Sequence, residues 1–166
     1  MKELIKKELN KFSLEQSLID NFIESVSEGL NQNGIEIWIN TIKSFSNSQT
    51  SRITIKNIIE ETPAILRSIP QSQYLEWVKQ CYRISEVSED LSITYVNATT
   101  GVIENLKPRH LLDWGNIGLS LYRSSKNSTS LVNNFFKYSP SLCLKLNYEE
   151  LEILNDTLKR ISTRSI

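Results

Sequence analysis

Three tryptophans recur at nearly constant spacing in this chain of 166 residues. Trp38, Trp77 and Trp114 each end a similar tetrapeptide, IEIW, YLEW and LLDW, and are separated by 39 and 37 residues. A fourth copy, LEIL, follows 40 residues later with Leu154 in the tryptophan position. A period of about 20 to 50 residues is typical of repeat proteins, in which each unit packs on its neighbours. The spacing therefore predicts an array of similar units.

A second segment repeats between the tryptophans. IKNIIEETPAILRSI (55–69) aligns with VNNFFKYSPSLCLKL (132–146), and both contain two adjacent apolar residues, then Pro63 or Pro140, then an apolar stripe. The middle copy, SITYVNATTGVIENL (92–106), has Thr100 or Gly101 where the others have proline. Because proline lacks an amide hydrogen and restricts the residue before it, we expect it to interrupt this second segment of each unit.

The apolar residues of both segments follow the period of an α-helix. In the tryptophan segment, Trp77 is followed by apolar residues at i+1, i+4, i+5 and i+7, which places them on one helical face. The β-branched stretches TIKN and SITYV lie in the same register, so we assign them to helices. Short connectors, SIPQS, LKPRH and LNYE, make successive helices antiparallel neighbours. The predicted fold is all-α: about three antiparallel helical-hairpin repeats, resembling an α-solenoid, with an N-terminal capping helix.

The repeats divide the chain into a single helical-repeat domain, 1–166. Three units span 34–73, 74–110 and 111–147, and they are flanked by an N-terminal cap, 1–33, and a C-terminal cap helix, 148–166. The N-terminal cap contains one helix over 14–31, followed by a loop at 31–34. Repeat arrays need such end elements because a terminal unit would otherwise expose an apolar face. Candidate helix N-caps are Ser13, Ser72, Ser88 and Asn147.

Composition excludes several classes of function. Nineteen basic residues balance nineteen acidic ones, so the chain lacks the positive surplus of a nucleic-acid-binding protein. No apolar stretch approaches the roughly 20 residues of a membrane span, and the N-terminus has no signal-peptide core. We therefore expect a cytoplasmic protein that binds neither nucleic acid nor membrane. Cys81 and Cys143 are isolated among apolar residues and are interpreted as core fillers.

The tryptophans could form an aromatic box for a ligand, but a packing role explains them better. An indole at the same point of each unit would fill the space between successive helices. The predicted structural core of the repeats consists of Trp38, Trp77, Trp114, Leu154, Pro63 and Pro140. Gly115 and Gly118, one turn apart, indicate a close helix contact.

No catalytic constellation is visible. The densest basic stretch contains Lys107, Arg109 and His110, which could hold a phosphate or carboxylate at the start of the next helix, although a solvated connector explains this stretch better. A single histidine excludes a two-histidine metal site. The sequence Asp90-Leu-Ser-Ile-Thr94 matches the DxSxT pattern of a metal-binding loop. Ser88, two residues earlier, instead indicates that a helix starts here. We predict a protein that is not an enzyme and has no cofactor or metal.

The most complete unit, LLDWGNIGLSLYRSSKNSTSLVNNFFKYSPSLCLKL at 111–146, resembles the helical repeats that precede the von Willebrand A (VWA) domain in a group of prokaryotic proteins. Those proteins are related to the activator of nitric oxide reductase and to carbon monoxide dehydrogenase accessory proteins. The resemblance implies an accessory role in metalloenzyme maturation, with a MoxR-type AAA ATPase or a metalloenzyme as the protein partner. The metal site of that family belongs to the VWA domain, so no functional residue transfers to this chain.

These observations lead to two functional hypotheses. The first is a non-enzymatic scaffold, or protein-interaction domain, which could be the recruiting part of a VWA-type accessory system. The alternative is a helical domain that binds a small molecule or an anion in a pocket near Lys107, Arg109 and His110. If the protein has such a pocket, binding of the ligand should raise its melting temperature. The melting temperature of a scaffold should not change when metals, nucleotides or phosphates are added.

Overall fold

The computed structural model describes residues 2–104, 111–145, 149–150, 153–154, 156–157 and 160. Within these ranges the structure is all-α, as predicted, and contains no β-strand. The helices are α1 (Lys2–Leu9), a short 3-10 helix (Asn10–Phe12), α2 (Gln16–Gly29), α3 (Gln32–Ser44), α4 (Gln49–Ser68), α5 (Gln71–Val87), α6 (Glu89–Ile103), α7 (Leu111–Ser124) and α8 (Thr129–Lys145). None of the helices in the described part is both long and apolar enough to cross a membrane.

The helices pack in two rows, and each helix contacts the next but one in the chain. One row contains α2, α4, α6 and α8 in that order, and the other contains α1, α3, α5 and α7. Contacts between α5 and α6 and between α7 and α8 join the rows. This arrangement is compatible with the predicted array of two-helix units, and the unit boundaries given above stay predictions.

The proline-containing helices are continuous, so the predicted interruption at Pro63 and Pro140 is wrong. Helix α4 runs unbroken from Gln49 to Ser68, and α8 runs from Thr129 to Lys145. A proline inside a helix costs about 3 kcal/mol because one hydrogen bond is lost. Ile58, Ile59 and Ile65 are fully buried on both sides of Pro63, and each contributes about 1.5–3 kcal/mol. Packing of the apolar stripe therefore outweighs the local cost.

A small residue of α6 accommodates the second proline. A Cβ atom on Gly101 would lie 2.8 Å from the Cβ atom of Pro140, which is closer than side chains normally approach. Gly101 directly follows Thr100, the residue that corresponds to Pro63 and Pro140 when Thr62, Thr99 and Ser139 are aligned. The absence of a side chain at this position thus allows α8 to pack closely on α6.

The helix starts differ from the prediction except at Ser88. The Ser88 hydroxyl accepts a hydrogen bond from the Leu91 amide, 3.4 Å away, and caps α6 as expected. Ser72 lies inside α5, which begins at Gln71, and Ser13 precedes α2 in a left-handed conformation. Proline restricts φ to helix-compatible values, so Pro70 starts α5 without a side-chain cap. The candidate cap Asn147 lies outside the described residues.

The N-terminal cap is more helical than predicted. It contains α1 and the 3-10 helix in addition to α2, and α2 spans 16–29 where a helix over 14–31 was expected. The segment predicted as a loop begins α3, because the Asn31 side chain accepts a hydrogen bond from the Gly34 amide at 2.8 Å. Ser48 caps α4 in the same way, accepting from the Ser51 amide at 3.0 Å.

Each tryptophan donates its indole N–H to a buried hydroxyl. Nε1 of Trp77 lies 3.0 Å from Oγ1 of Thr99, and Nε1 of Trp114 lies 2.9 Å from Oγ of Ser139. Each of these hydroxyls in turn donates to the backbone carbonyl four residues earlier, that of Tyr95 or Phe135. The indole is therefore buried without leaving its N–H unpaired, which would be costly in an apolar core.

Trp38 has the same kind of connection with one additional hydroxyl. Nε1 of Trp38 donates to the Tyr74 hydroxyl at 3.1 Å, and this hydroxyl lies 2.8 Å from Oγ1 of Thr62. Thr62 donates to the Ile58 carbonyl at 2.6 Å, so its own proton is used there and Tyr74 must be the donor to Thr62. Burial raises the pKa of Tyr74, which keeps its hydroxyl protonated for this bond. Thr62, Thr99 and Ser139 thereby define equivalent positions on α4, α6 and α8.

Candidate functional site

The predicted core residues lie in the interior or at its edge. The indoles of Trp38, Trp77 and Trp114 are 1%, 0% and 4% exposed, and they contact Phe22, Tyr74 and Tyr95 respectively. Pro63, Pro140 and Leu154 are half-buried. The three indoles are therefore positioned for packing, and none of them opens onto the surface as a ligand box would require.

The predicted anion site lies outside the described residues. Lys107, Arg109 and His110 belong to the connector between α6 and α7, and the structure describes neither this connector nor their side chains. The anion-binding alternative therefore stays a prediction.

The candidate metal-binding loop is part of a helix. Asp90 and Ser92 lie in the first turn of α6, and the buried Ser92 hydroxyl donates to the Cys81 carbonyl at 2.7 Å. Within the ranges given above, no three histidine, cysteine, aspartate or glutamate side chains are grouped as a metal site would need. Burial raises the pKa of both thiols, Cys81 and Cys143, so each is protonated at neutral pH and suited to packing.

A carboxylate joins α6 to the connector between α3 and α4. Oε1 of Glu89 accepts hydrogen bonds from the hydroxyls of Ser46, Ser48 and Ser51 at 2.9, 2.9 and 3.1 Å. These bonds, with those from Ser46 and Ser48 the strongest, lower the pKa of Glu89 because they favour its charged form. The hydroxyls of Ser46, Ser48 and Ser51 all lie within hydrogen-bond distance of the carboxylate, so we interpret the cluster as a structural connection between α6 and the start of α4.

Exposed apolar side chains are concentrated on α8. Of the seven large apolar side chains that are exposed in the described part of the chain, four belong to this helix: Leu131, Tyr138, Leu142 and Leu144. Leu131, Tyr138 and Leu142 are 49%, 55% and 42% exposed. They are separated by seven and four residues, so together with the half-buried Phe135 they form one stripe along the helix. We call these four residues the α8 stripe.

The α8 stripe occupies positions that are buried in α6. Counting from the equivalent hydroxyl residues, Ser139 and Thr99, the four stripe residues correspond to Leu91, Tyr95, Ala98 and Val102 of α6. Those four α6 side chains are 2%, 0%, 7% and 0% exposed. Tyr95 is covered by the next unit, because it stacks on Trp114 of α7 and packs edge-on against Phe136 of α8, with ring centroids 4.5 and 5.1 Å apart. The α8 stripe is therefore a packing face without equivalent cover among the described helices.

The sequence around the α8 stripe carries only positive charge. Between Asp113 and Glu149 the chain contains four basic residues and no acidic one. The basic residues are Arg123, Lys126, Lys137 and Lys145, and all four are exposed. Nζ of Lys137 lies 5.6 Å from the centre of the Tyr138 ring, which places a cation beside the stripe. Helix α8 therefore combines an apolar stripe with two lysines and no acidic residue, although the chain as a whole is neutral.

The sequence patterns described above do not distinguish the α8 stripe from the buried apolar residues of the same helix. Eight of the seventeen residues of α8 are leucine, valine, cysteine or aromatic, which is a wider apolar surface than one buried face requires. That excess was the available signal. To separate the buried residues of α8 from the stripe, one must know which side of α8 faces α7. The hydrogen bond between Trp114 and Ser139 determines that side.

Comparisons with protein-family models, with curated proteins and with solved structures find no match to this chain.

Proposed function

We propose that this protein is a non-enzymatic scaffold that binds a protein partner through the α8 stripe. The observation that carries the proposal is the exposure of Leu131, Tyr138 and Leu142 at positions where the preceding unit has buried residues. Solvent-exposed apolar stripes of this kind are typical of interaction surfaces. Each of the three side chains is about half exposed, so covering it would contribute about 1 kcal/mol.

The resemblance to VWA-associated repeats supplies candidate partners. We propose that a MoxR-type AAA ATPase, or a metalloenzyme that such an ATPase helps to mature, is the protein that docks on α8. The support for this step is the sequence pattern of the unit at 111–146, the unit that contains the stripe.

Site-specific photocrosslinking tests the proposed surface. A photoreactive phenylalanine analogue at position 142 should crosslink to a defined partner in cells, whereas the same analogue at Asn21, on the polar outer face of α2, should not. The crosslinked protein is identified by mass spectrometry, purified and titrated against the wild-type chain. Leu142→Ser should weaken its binding about tenfold or more, because an apolar contact is lost from the interface.

Two results would contradict the scaffold. Equal crosslinking at positions 142 and 21 would show that the α8 stripe is not the binding surface. A melting temperature that rises with a metal, nucleotide or phosphate would instead favour the small-molecule alternative, since such a ligand stabilises the folded state by RT ln(1 + [L]/Kd).

A further inference from the structure

We infer that the α8 stripe binds an amphipathic helix whose flanks carry aspartate or glutamate. This inference rests on the proposed function and specifies the chemistry of the partner. Two independent observations carry it: the position of the stripe within a row of helices, and the distribution of charge around the stripe.

The position of the stripe favours a helix over an extended segment. Asn133 and Pro140 face α6, as shown by the hydrogen bond from the Thr94 hydroxyl to Asn133 and by the contact between Pro140 and Gly101. At about 100° per residue, the stripe residues Leu131 and Leu142 lie on the opposite side of α8. The stripe therefore faces the place that the next helix of the row α2, α4, α6, α8 would occupy.

The spacing of the stripe also suits a helix. Leu131, Phe135, Tyr138 and Leu142 are at i, i+4, i+7 and i+11, which is the pattern of anchors found where one helix packs on another. In α6, the same four positions are buried, and Tyr95 among them is covered by Trp114 of α7 and Phe136 of α8. A partner helix with apolar residues at i, i+3, i+7 and i+10 can cover the α8 stripe in the same way.

The charges favour an acidic partner over a second copy of this chain. Lys137 and Lys145 are exposed, and α8 has no acidic residue. Two copies pairing through α8 would bring four lysines together with no carboxylate on either helix, which is unfavourable. The acidic outer face of α2, with Asp20, Glu24 and Glu28, has no apolar stripe of its own, because the apolar residues of α2 are buried inside.

Carboxylates beside Lys137 and Lys145 would mainly determine partner choice and association rate. Exposed ion pairs contribute little affinity, but they accelerate encounter and disfavour partners of the wrong charge. Binding should therefore weaken as salt rises from low to physiological ionic strength, where the Debye length falls to about 8 Å.

Synthetic peptides test the inference with the full-length chain. The probes are two fluorescein-labelled peptides of about 20 residues, long enough to form helix. Both have leucine at i, i+3, i+7 and i+10, and they differ only in having glutamate or lysine at the flanking positions. By fluorescence anisotropy, the glutamate peptide should bind the wild-type chain at least about tenfold more tightly than the lysine peptide.

Three variants separate the apolar and the electrostatic contributions. The triple variant Leu131→Ser, Tyr138→Ser, Leu142→Ser should no longer bind the glutamate peptide. The control variant Ile53→Ser should still bind it, because Ile53 is similarly exposed but belongs to α4. The variant Lys137→Glu, Lys145→Glu retains the stripe and should prefer the lysine peptide. Circular dichroism should show the same helix content in all of these proteins.

Several results would overturn the inference. Binding of neither peptide, or equal binding of both, would exclude an acidic helix, while crosslinking from position 142 would decide the scaffold function separately. A wild-type dimer that the triple variant converts to monomer in sedimentation equilibrium would show that a second copy occupies the stripe. Co-sedimentation with phosphatidylserine vesicles that the triple variant abolishes would assign the stripe to a membrane surface.

Discussion

The ring of Phe136 lies so close to Gly118 that no Cβ atom fits between α7 and α8 at this point. Phe136 is fully buried and packs edge-on against Tyr95 and Trp114, with ring centroids 5.1 and 5.4 Å away, so the ring has no space to move. We expect Gly118→Ala to lower the free energy of unfolding by about 1–3 kcal/mol, although alanine is the better helix former. Urea denaturation measures this loss.

Gly29→Ala is the matched control for Gly118→Ala. The nearest atoms to a Cβ on Gly29 belong to the flexible side chain of Leu66, at 3.0 Å, and Leu66 is only half-buried. This variant should change stability by less than about 1 kcal/mol. Equal losses in the two variants would contradict the close contact between Gly118 and Phe136.

The bond between Trp77 and Thr99 should show thermodynamic coupling. Thr99→Val retains the shape of the side chain but leaves the Trp77 indole N–H buried without an acceptor, which costs about 1–3 kcal/mol. In Trp77→Phe the donor is absent, so the added cost of Thr99→Val should be smaller. A double-mutant cycle from denaturation curves should give a coupling free energy of about 1 kcal/mol between the two positions. Additive losses of unfolding free energy would contradict the hydrogen bond between Trp77 and Thr99.

Two leucines at the same register position should respond differently to the same substitution. Leu91→Ala removes a side chain that is 2% exposed and should cost about 2–5 kcal/mol. Leu131→Ala removes one that is 49% exposed and should cost less than about 1 kcal/mol. Thermal and urea unfolding of the isolated protein measure both losses of stability. A large loss in Leu131→Ala would mean that the α8 stripe is covered within the chain.

The Glu89 cluster should make stability depend on pH in the acidic range. Because the folded state lowers the pKa of Glu89 below its usual value near 4.5, the carboxylate stabilises the fold above that value. This contribution is lost as the pH falls through the lowered pKa. We expect Glu89→Gln to melt below the wild type at pH 7 and to approach it at low pH. A difference in melting temperature that stays constant across this pH range would contradict a role for the hydroxyls around Glu89.

Helix identity and core position were predictable from the sequence, whereas the response to proline was not. The periods that begin at Trp38 and Trp77 indicated helices, and the three indoles are in fact buried. The effect of Pro63 depends on the balance between one lost hydrogen bond and the burial of Ile58, Ile59 and Ile65, and only the packed structure supplies the second quantity.

Helix starts and the exposure of the α8 stripe could not be predicted from sequence patterns either. Ser72 and Ser48 look alike as candidate caps, but α5 begins at Gln71 directly after Pro70 and so includes Ser72, while Ser48 caps α4. The residues of the α8 stripe could not be distinguished from core residues because both groups are apolar. When a helix has apolar residues on more than one face, its sequence does not indicate which face is buried. The alternative site at Lys107, Arg109 and His110 stays a prediction.

The hydrogen bonds from Trp38, Trp77 and Trp114 restrict how this architecture can change during evolution. If one helix slid past another by a turn, about 5.4 Å, an indole N–H would face hydrocarbon instead of a hydroxyl. Small insertions or deletions within α5 and α6 would have that effect, because they would displace Trp77 from Thr99. Gain or loss of a whole helix pair would preserve each donor with its acceptor, so the length of such a chain should vary in steps of one complete unit.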